Sequence, residues 1–209
     1  MSIAMTAPLH DDGVIKYAAH WDEQPTDDRF DAGDLIHWRQ AMFTHGLIGE
    51  YEDGVAYGNI SQRITDSDQF YVSGSATGGL DSINNTHFSR VTRVDVKANS
   101  LWCRGPVMAS SESMSHAVIY QHCPEINGII HVHHQTMWQQ MMNEVPATPS
   151  GVSYGTPEMA QAIIELIDQQ QLLDIGVFVM AGHEDGVFSL GSSLQESADR
   201  MMSYYESTR

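Results

Sequence analysis

The stretch Gly128 to His134, GIIHVHH, constrains the fold most. An apolar run that reads as core carries three histidines in four positions at its end. Alternate side chains of a strand share a face, so His131 and His133 project together while Val132 and His134 point the other way. Two imidazoles placed this way can bite one cation, because Zn–N distances are about 2.0–2.1 Å. The alternative is a pair of partly buried histidines bonded to backbone carbonyls.

A second apolar segment, IGVFVM at 175–180, reads as a buried strand from its continuous apolar character. His183 stands just beyond it, framed by Gly182 and Gly186. A histidine from the end of another strand completes three protein ligands and leaves a fourth position open, as in catalytic zinc sites. Taken alone, His183 is an ordinary turn histidine. Ser110 and Ser111 precede Glu112 at an expected helix start. Such a terminus gathers free N–H groups and the positive end of the dipole, a natural place for an anion such as phosphate. Glu112 there is either a routine dipole-stabilising residue or a catalytic carboxylate.

Around these motifs strands and helices interleave. From Asp34, DLIHWRQAMFTHG places Leu35, Trp38 and Met42 on one helical face. Short strands are expected in EDGVAYGNISQRI and at Phe70 to Val72, the latter breaking into a Ser/Gly-rich loop. Two more strands flank the turn at Ala98-Asn99-Ser100. A helix follows from near Ser111 to Pro124, and another begins at Thr156 as cap with Pro157 in its first position. Leu194, Ala198, Met201 and Tyr205 form the stripe of a final helix. With no linker, repeat or low-complexity block, the expectation is one α/β domain with a mixed sheet over residues 31–209, preceded by an acidic N-terminal arm over residues 1–30.

Composition narrows the function classes. The 209 residues are long enough for a sizeable core, and 42% hydrophobic with 18% charged is ordinary for a globular protein. The formal charge of −17, with only ten Lys and Arg, argues against nucleic acid and against an anionic membrane surface as partners. An anionic substrate must therefore be gripped by local donors. Two sparse cysteines, Cys103 and Cys123, point to reduced thiols. The N-terminal stretch has no basic start leading into an apolar core, so a cytoplasmic location is expected.

Together these stretches resemble the class II aldolase/adducin-like family, and within it the L-fuculose-phosphate aldolase and L-ribulose-5-phosphate 4-epimerase group. The resemblance runs from about Asp34 to Tyr205 and rests on an ordered set: GNIS from Gly58, SG at Ser73-Gly74, SSE at Ser110-Ser111-Glu112, HVH from His131, and a late His183. The most specific part is SSE followed nineteen residues later by His-x-His and then a distant histidine.

The resemblance implies a single-domain three-layer α/β/α sandwich around a mixed, largely antiparallel central sheet. It implies His131, His133 and His183 as metal ligands. Glu112 becomes the proton-shuttling residue, which can also ligate the resting metal. Gly58-Asn59, Ser73-Gly74 and Ser110-Ser111 become the loops that hold a substrate phosphate. The implied metal is zinc, with manganese or cobalt as alternatives.

The implied activity is that of a metal-dependent carbon–carbon lyase. It performs retro-aldol and aldol chemistry on a small phosphorylated ketose through a metal-stabilised enediolate, in a homotetramer. Epimerase or dehydratase chemistry on the same site is the alternative. Glutamate at position 112 favours the aldolase, since epimerase members carry aspartate there. A non-catalytic module like the adducin head, which lacks an intact metal site, is the less favoured reading.

Two features depart from the family pattern. The third ligand is followed by Glu184-Asp185-Gly186 instead of directly by glycine. The second proton donor, which family members supply from another subunit and often as a tyrosine, has two candidates, Tyr154 and Tyr204, with a capping contact at the Thr156 helix as the competing role for Tyr154. His116, one turn after Glu112, is expected either to hold that carboxylate or to face solvent.

Overall fold

The computed structural model describes residues 13–169 and 171–209. The chain opens with an edge strand β1 (Ala18–Glu23) and helix α1 (Gly33–Thr44), then a small hairpin, β2 (Gly49–Glu50) and β3 (Ala56–Tyr57). Strands β4 (Asn59–Arg63), β5 (Phe70–Ser73), β6 (Phe88–Asp95) and β7 (Ser100–Gly105) follow, with a short 3-10 turn at Asn85–His87. Next come α2 (Ser113–His122), β8 (Gly128–His133), α3 (Gln135–Met141), β9 (Ala147–Thr148), α4 (Pro157–Asp168) and α5 (Gln171–Ile175). The chain closes with β10 (Val177–Met180), β11 (Gly186–Gly191) and α6 (Leu194–Ser207).

Nine strands form one sheet in the order β1-β7-β6-β5-β4-β8-β11-β10-β9. Only the edge pairs, β1 with β7 and β9 with β10, are parallel; the other junctions are antiparallel. The sheet is thus mixed and largely antiparallel, as expected. The parallel strand β1 falls within the stretch read as an arm. Its sequence AAHWDE is mostly exposed and shows no apolar alternation, so nothing local marks it as a strand. Residues 1–12 of that stretch lie outside the described residues.

The period of two sorts the central strands into two cores. Ile129, Phe178, Phe188 and Leu190 pack with Val118 and Ile119 of α2 and with Met159 and Ile163 of α4. Ile130, Val132, Val177, Val179 and Val187 face the other way, onto Leu35 and Met42 of α1, Met137 of α3 and Leu194, Ala198 and Met201 of α6. Helices therefore cover both faces, which explains why every residue of β8, β10 and β11 is buried. Gly128 has a steric role in this layering: a Cβ there would sit 2.6 Å from the Leu194 nitrogen, so its absence lets the start of α6 lie directly on β8.

Helix starts follow their local signals. The Thr156 side chain accepts from the Met159 N–H with Pro157 in the first turn of α4, and Ser193 caps α6 on the Glu196 N–H. One buried residue of α1 is unexpected. Arg39 is 1% exposed and donates through Nη2 to the carbonyls of Thr77 (2.9 Å) and Gly78 (2.7 Å). A helical arginine thereby pins the Ser/Gly-rich loop that follows β5. Both cysteines are buried and free. Among the described residues, no helix is long and apolar enough to cross a membrane.

Candidate metal centre

β8 delivers the two histidines as its alternation requires. His131 and His133 share the parity of Ile129, so both lie on the sheet face covered by α2 and α4. Their Nε2 atoms are 3.0 Å apart. The turn between β10 and β11 adds His183, and the ligand atoms of all three lie within 4.8 Å of one another, every residue buried. Two nitrogens on one tetrahedral zinc sit about 3.3–3.4 Å apart, a separation that follows from Zn–N lengths of about 2.0–2.1 Å. The separations bracket that value, so the three imidazoles could hold a divalent cation.

The remaining ring nitrogens help orient the three imidazoles. His131 Nδ1 lies 3.2 Å from the Val187 carbonyl, which can only accept, so Nδ1 carries the hydrogen and Nε2 offers its lone pair to the cluster. Burial, followed by the neighbouring His133, His183 and His116, pushes the His131 imidazole well below its usual range. It stays in the neutral form that binds metals. His133 Nδ1 lies 2.8 Å from the Tyr51 hydroxyl. Tyr51 follows β2, and the His133 amide donates to the Leu47 carbonyl just before that strand, so the small hairpin and the end of β8 are tied together.

The turn carrying His183 explains the two extra acidic residues in part. Asp185 adopts a left-handed conformation (φ 66°), its carbonyl accepts from the His134 amide, and Glu184 is exposed. A Cβ at Gly186 would fall 2.8 Å from Cδ2 of His183 and 3.3 Å from Cε1 of His131, so this glycine is what lets the two rings approach. Gly186→Ala is expected to displace His183 and weaken zinc affinity by roughly 10- to 100-fold, the scale of a disturbed metal-supporting contact. Competition against a chromogenic chelator measures it; unchanged affinity would separate His183 from the ligand set.

Glu112 meets the cluster from α2. It is the helix N-cap residue and 3% exposed, but its side chain makes no capping bond to its own helix. Instead Oε2 accepts from the Ser115 hydroxyl at 2.9 Å, and Oε1 lies 3.6 Å from His183 Nε2. The carboxylate is thus turned towards the imidazoles.

Three donor loops lie side by side. Asn59 pairs with His131 across β4 and β8. Ser73 ends the neighbouring strand, and Gly74 bridges to Ala109 immediately before Ser110 and Ser111. The Ser73 hydroxyl accepts from the Ile60 amide (3.2 Å), and that of Ser110 accepts weakly from the Glu112 amide (3.4 Å). Both keep their own hydrogen to donate. Gly58 sits in a left-handed conformation (φ 75°) at the head of β4, against the His131 carbonyl.

Other expectations fare differently. Tyr154 is buried with its ring against His183 (centroids 4.5 Å apart), but its hydroxyl donates to the Val14 carbonyl at 3.2 Å. Tyr204 lies on α6, packed at the edge of the opposite core. His134 caps α3, its Nδ1 accepting from the Met137 amide. His116 neither holds Glu112 through its ring nor faces solvent: its imidazole is fully buried between Asn59 and Ser61. Tyr51 and the buried His116 contacts escaped sequence reasoning, since their partners lie 82 and 57 residues away.

This fold has counterparts. The family model for the class II aldolase and adducin N-terminal domain matches residues 35–209, and the chain belongs to that family. The fold is similar to that of YgbL from Klebsiella pneumoniae (TM-score 0.63, 19% identity, 84% of this chain and 85% of that one). It is also similar to L-fuculose-1-phosphate aldolase from Thermus thermophilus (TM-score 0.61, 18% identity, 84% and 89%). A sugar-phosphate aldolase from Thermotoga maritima aligns as well (TM-score 0.61, 14% identity, 84% and 90%). No curated protein sequence matches the chain.

Proposed function

We propose that the protein is a metal-dependent lyase that makes and breaks a carbon–carbon bond next to the carbonyl of a small phosphorylated ketose. The observation that carries this reading is a buried carboxylate, Glu112, directed at three converging imidazoles beside three hydroxyl- and amide-bearing loops. His131, His133 and His183 would hold the cation, zinc in the first instance, with manganese or cobalt suited to the same donors. When bound, such a cation supplies Lewis-acid polarisation of the substrate oxygens, worth several kcal/mol.

The rest falls to the chain itself. A proton beside a ketone is too weakly acidic for an ordinary carboxylate of pKa about 4.3 acting alone. Glu112, withdrawn from water next to the imidazoles, takes that proton and returns it. Asn59, Ser73, Ser110 and Ser111, with the backbone at Gly58 and Gly74, grip the phosphate by short-range hydrogen bonds. That grip is needed because the formal charge of −17 repels a dianion at long range. We place the enzyme in the cytoplasm from its sparse cysteines, and as a homotetramer after its family resemblance. Tyr154 remains the proposed second proton donor; with its hydroxyl on Val14, it must rotate to act.

The test is deuterium incorporation into dihydroxyacetone phosphate in heavy water, followed by NMR, on protein whose bound metal has been counted. Exchange at the hydroxymethyl carbon that disappears on chelation and returns with zinc is the expected result. Full metal occupancy with no exchange would overturn the aldolase reading and leave epimerase or dehydratase chemistry for the site.

A further inference from the structure

Four polar groups that take no part in the proposed proton transfer lie in a row beneath the site. His116 Nε2 is 2.6 Å from Asn59 Oδ1, His116 Nδ1 is 2.6 Å from Ser61 Oγ, and Ser61 Oγ is 2.8 Å from the Tyr120 hydroxyl. His116, Ser61 and Tyr120 are completely buried, and Asn59 is 4% exposed. The row is in register by construction. Asn59 and Ser61 are two residues apart on β4, about 6.6–6.8 Å. His116 and Tyr120 are four apart on α2, about 6 Å.

One polarity of the row gives every hydrogen in it an acceptor. Asn59 Oδ1 is an acceptor only, so His116 Nε2 carries a hydrogen. Burial pushes the His116 imidazole down to about 3, so it is neutral and holds one hydrogen. Nδ1 must then accept from the Ser61 hydroxyl, and Ser61 Oγ accepts in turn from Tyr120. The opposite polarity fails at Tyr120. Among the described residues its hydroxyl hydrogen-bonds Ser61 alone. If Ser61 donated to it, a fully buried phenol hydrogen would be left without an acceptor, a loss of about 1–3 kcal/mol.

We propose that His116, backed by Ser61 and Tyr120, is a positioning residue that locks the Asn59 amide with its oxygen inward and its NH2 group presented to the substrate phosphate. This rests on the phosphate-binding reading of Asn59. A free asparagine amide can offer an anion either its oxygen or its nitrogen, and only the second attracts a phosphate. By engaging the oxygen, the buried row removes the repulsive orientation before substrate arrives. It acts on the strand residue paired with the metal ligand His131.

The test is calorimetric binding of inorganic phosphate to the zinc-loaded full chain, with metal counted for each protein. Asn59→Ala and His116→Leu are each expected to weaken phosphate roughly 10- to 100-fold, the scale of a hydrogen bond to a charged group, with little further loss in the double variant. His116→Gln keeps a donor towards Asn59 and an acceptor towards Ser61, and is expected to stay within about 3-fold of the parent. Zinc stoichiometry should not change. His116→Leu binding phosphate like the parent while Asn59→Ala does not would overturn the proposal and leave the phosphate site standing. Asn59→Ala binding like the parent would overturn both. Nitrogen-15 NMR of the unaltered protein decides the polarity even if His116→Leu does not fold: a neutral His116 protonated at Nε2 is expected, and protonation at Nδ1 refutes the lock.

Discussion

Glu112→Gln is expected to slow deuterium exchange into dihydroxyacetone phosphate by roughly 10²- to 10⁴-fold, the range for loss of a positioned general acid–base group. Zinc should remain bound, because all three imidazoles survive the change. Glutamine preserves the shape of the side chain and can still accept from Ser115, whose hydroxyl lies 2.9 Å from Oε2. What it loses is the ability to hold a proton reversibly. Metal analysis beside the exchange rate separates two roles. Exchange lost with zinc retained makes Glu112 the proton carrier. Exchange and zinc lost together make it a ligand first, and an unchanged rate removes it from the chemistry.

His133→Ala should abolish both zinc binding at micromolar metal and the exchange reaction. Outer-shell partners of metal ligands already contribute about 10- to 100-fold in affinity, so removal of a ligand itself is expected to exceed that range. The alanine also strands its neighbours. His131 Nε2 loses the ring nitrogen 3.0 Å away, and the Tyr51 hydroxyl loses its 2.8 Å partner. The fold should survive, because the apolar partners of β8, Ile129, Ile130 and Val132, are untouched and fully buried. Circular dichroism of the parent shape, zinc at background level and no exchange make up the expected result. Exchange persisting without zinc would refute a metal-dependent reaction.

The charge balance of the site follows the same logic. Burial first, and then the neighbouring His133, His183 and His116, hold the His131 imidazole well below its usual range. On the proposed reading, the three imidazoles, the carboxylate of Glu112 and the loop donors would accept a cation first and then an anion. The surrounding negative charge then selects for ligands that engage these short-range contacts.

Some of this is local and therefore visible in one dimension. The parity of His131 and His133, the Thr156-Pro157 helix start and the apolar stripe of the last helix are set by strand and helix periods and by backbone caps, which act over a few residues. Family resemblance added the sandwich, its largely antiparallel sheet and the set of candidate ligands. Other features depend on partners distant along the chain. The polar β1 became a strand only because β7 offered an edge, and Arg39 is buried because a loop some forty residues on placed two carbonyls over it. The convergence of His183 on the β8 pair needed β11 to lie beside β8, and the turn of Glu112 towards it and the proposed lock of Asn59 by His116 needed the packing of α2 against the sheet. The sequence by itself determined that His131 and His133 share one face of a buried strand, because strand period is a property of residues and their near neighbours, and its family resemblance added His183 and Glu112. Only the tertiary structure decided where each remaining proton and lone pair points, because hydrogen-bond direction is set by the group that arrives from across the fold.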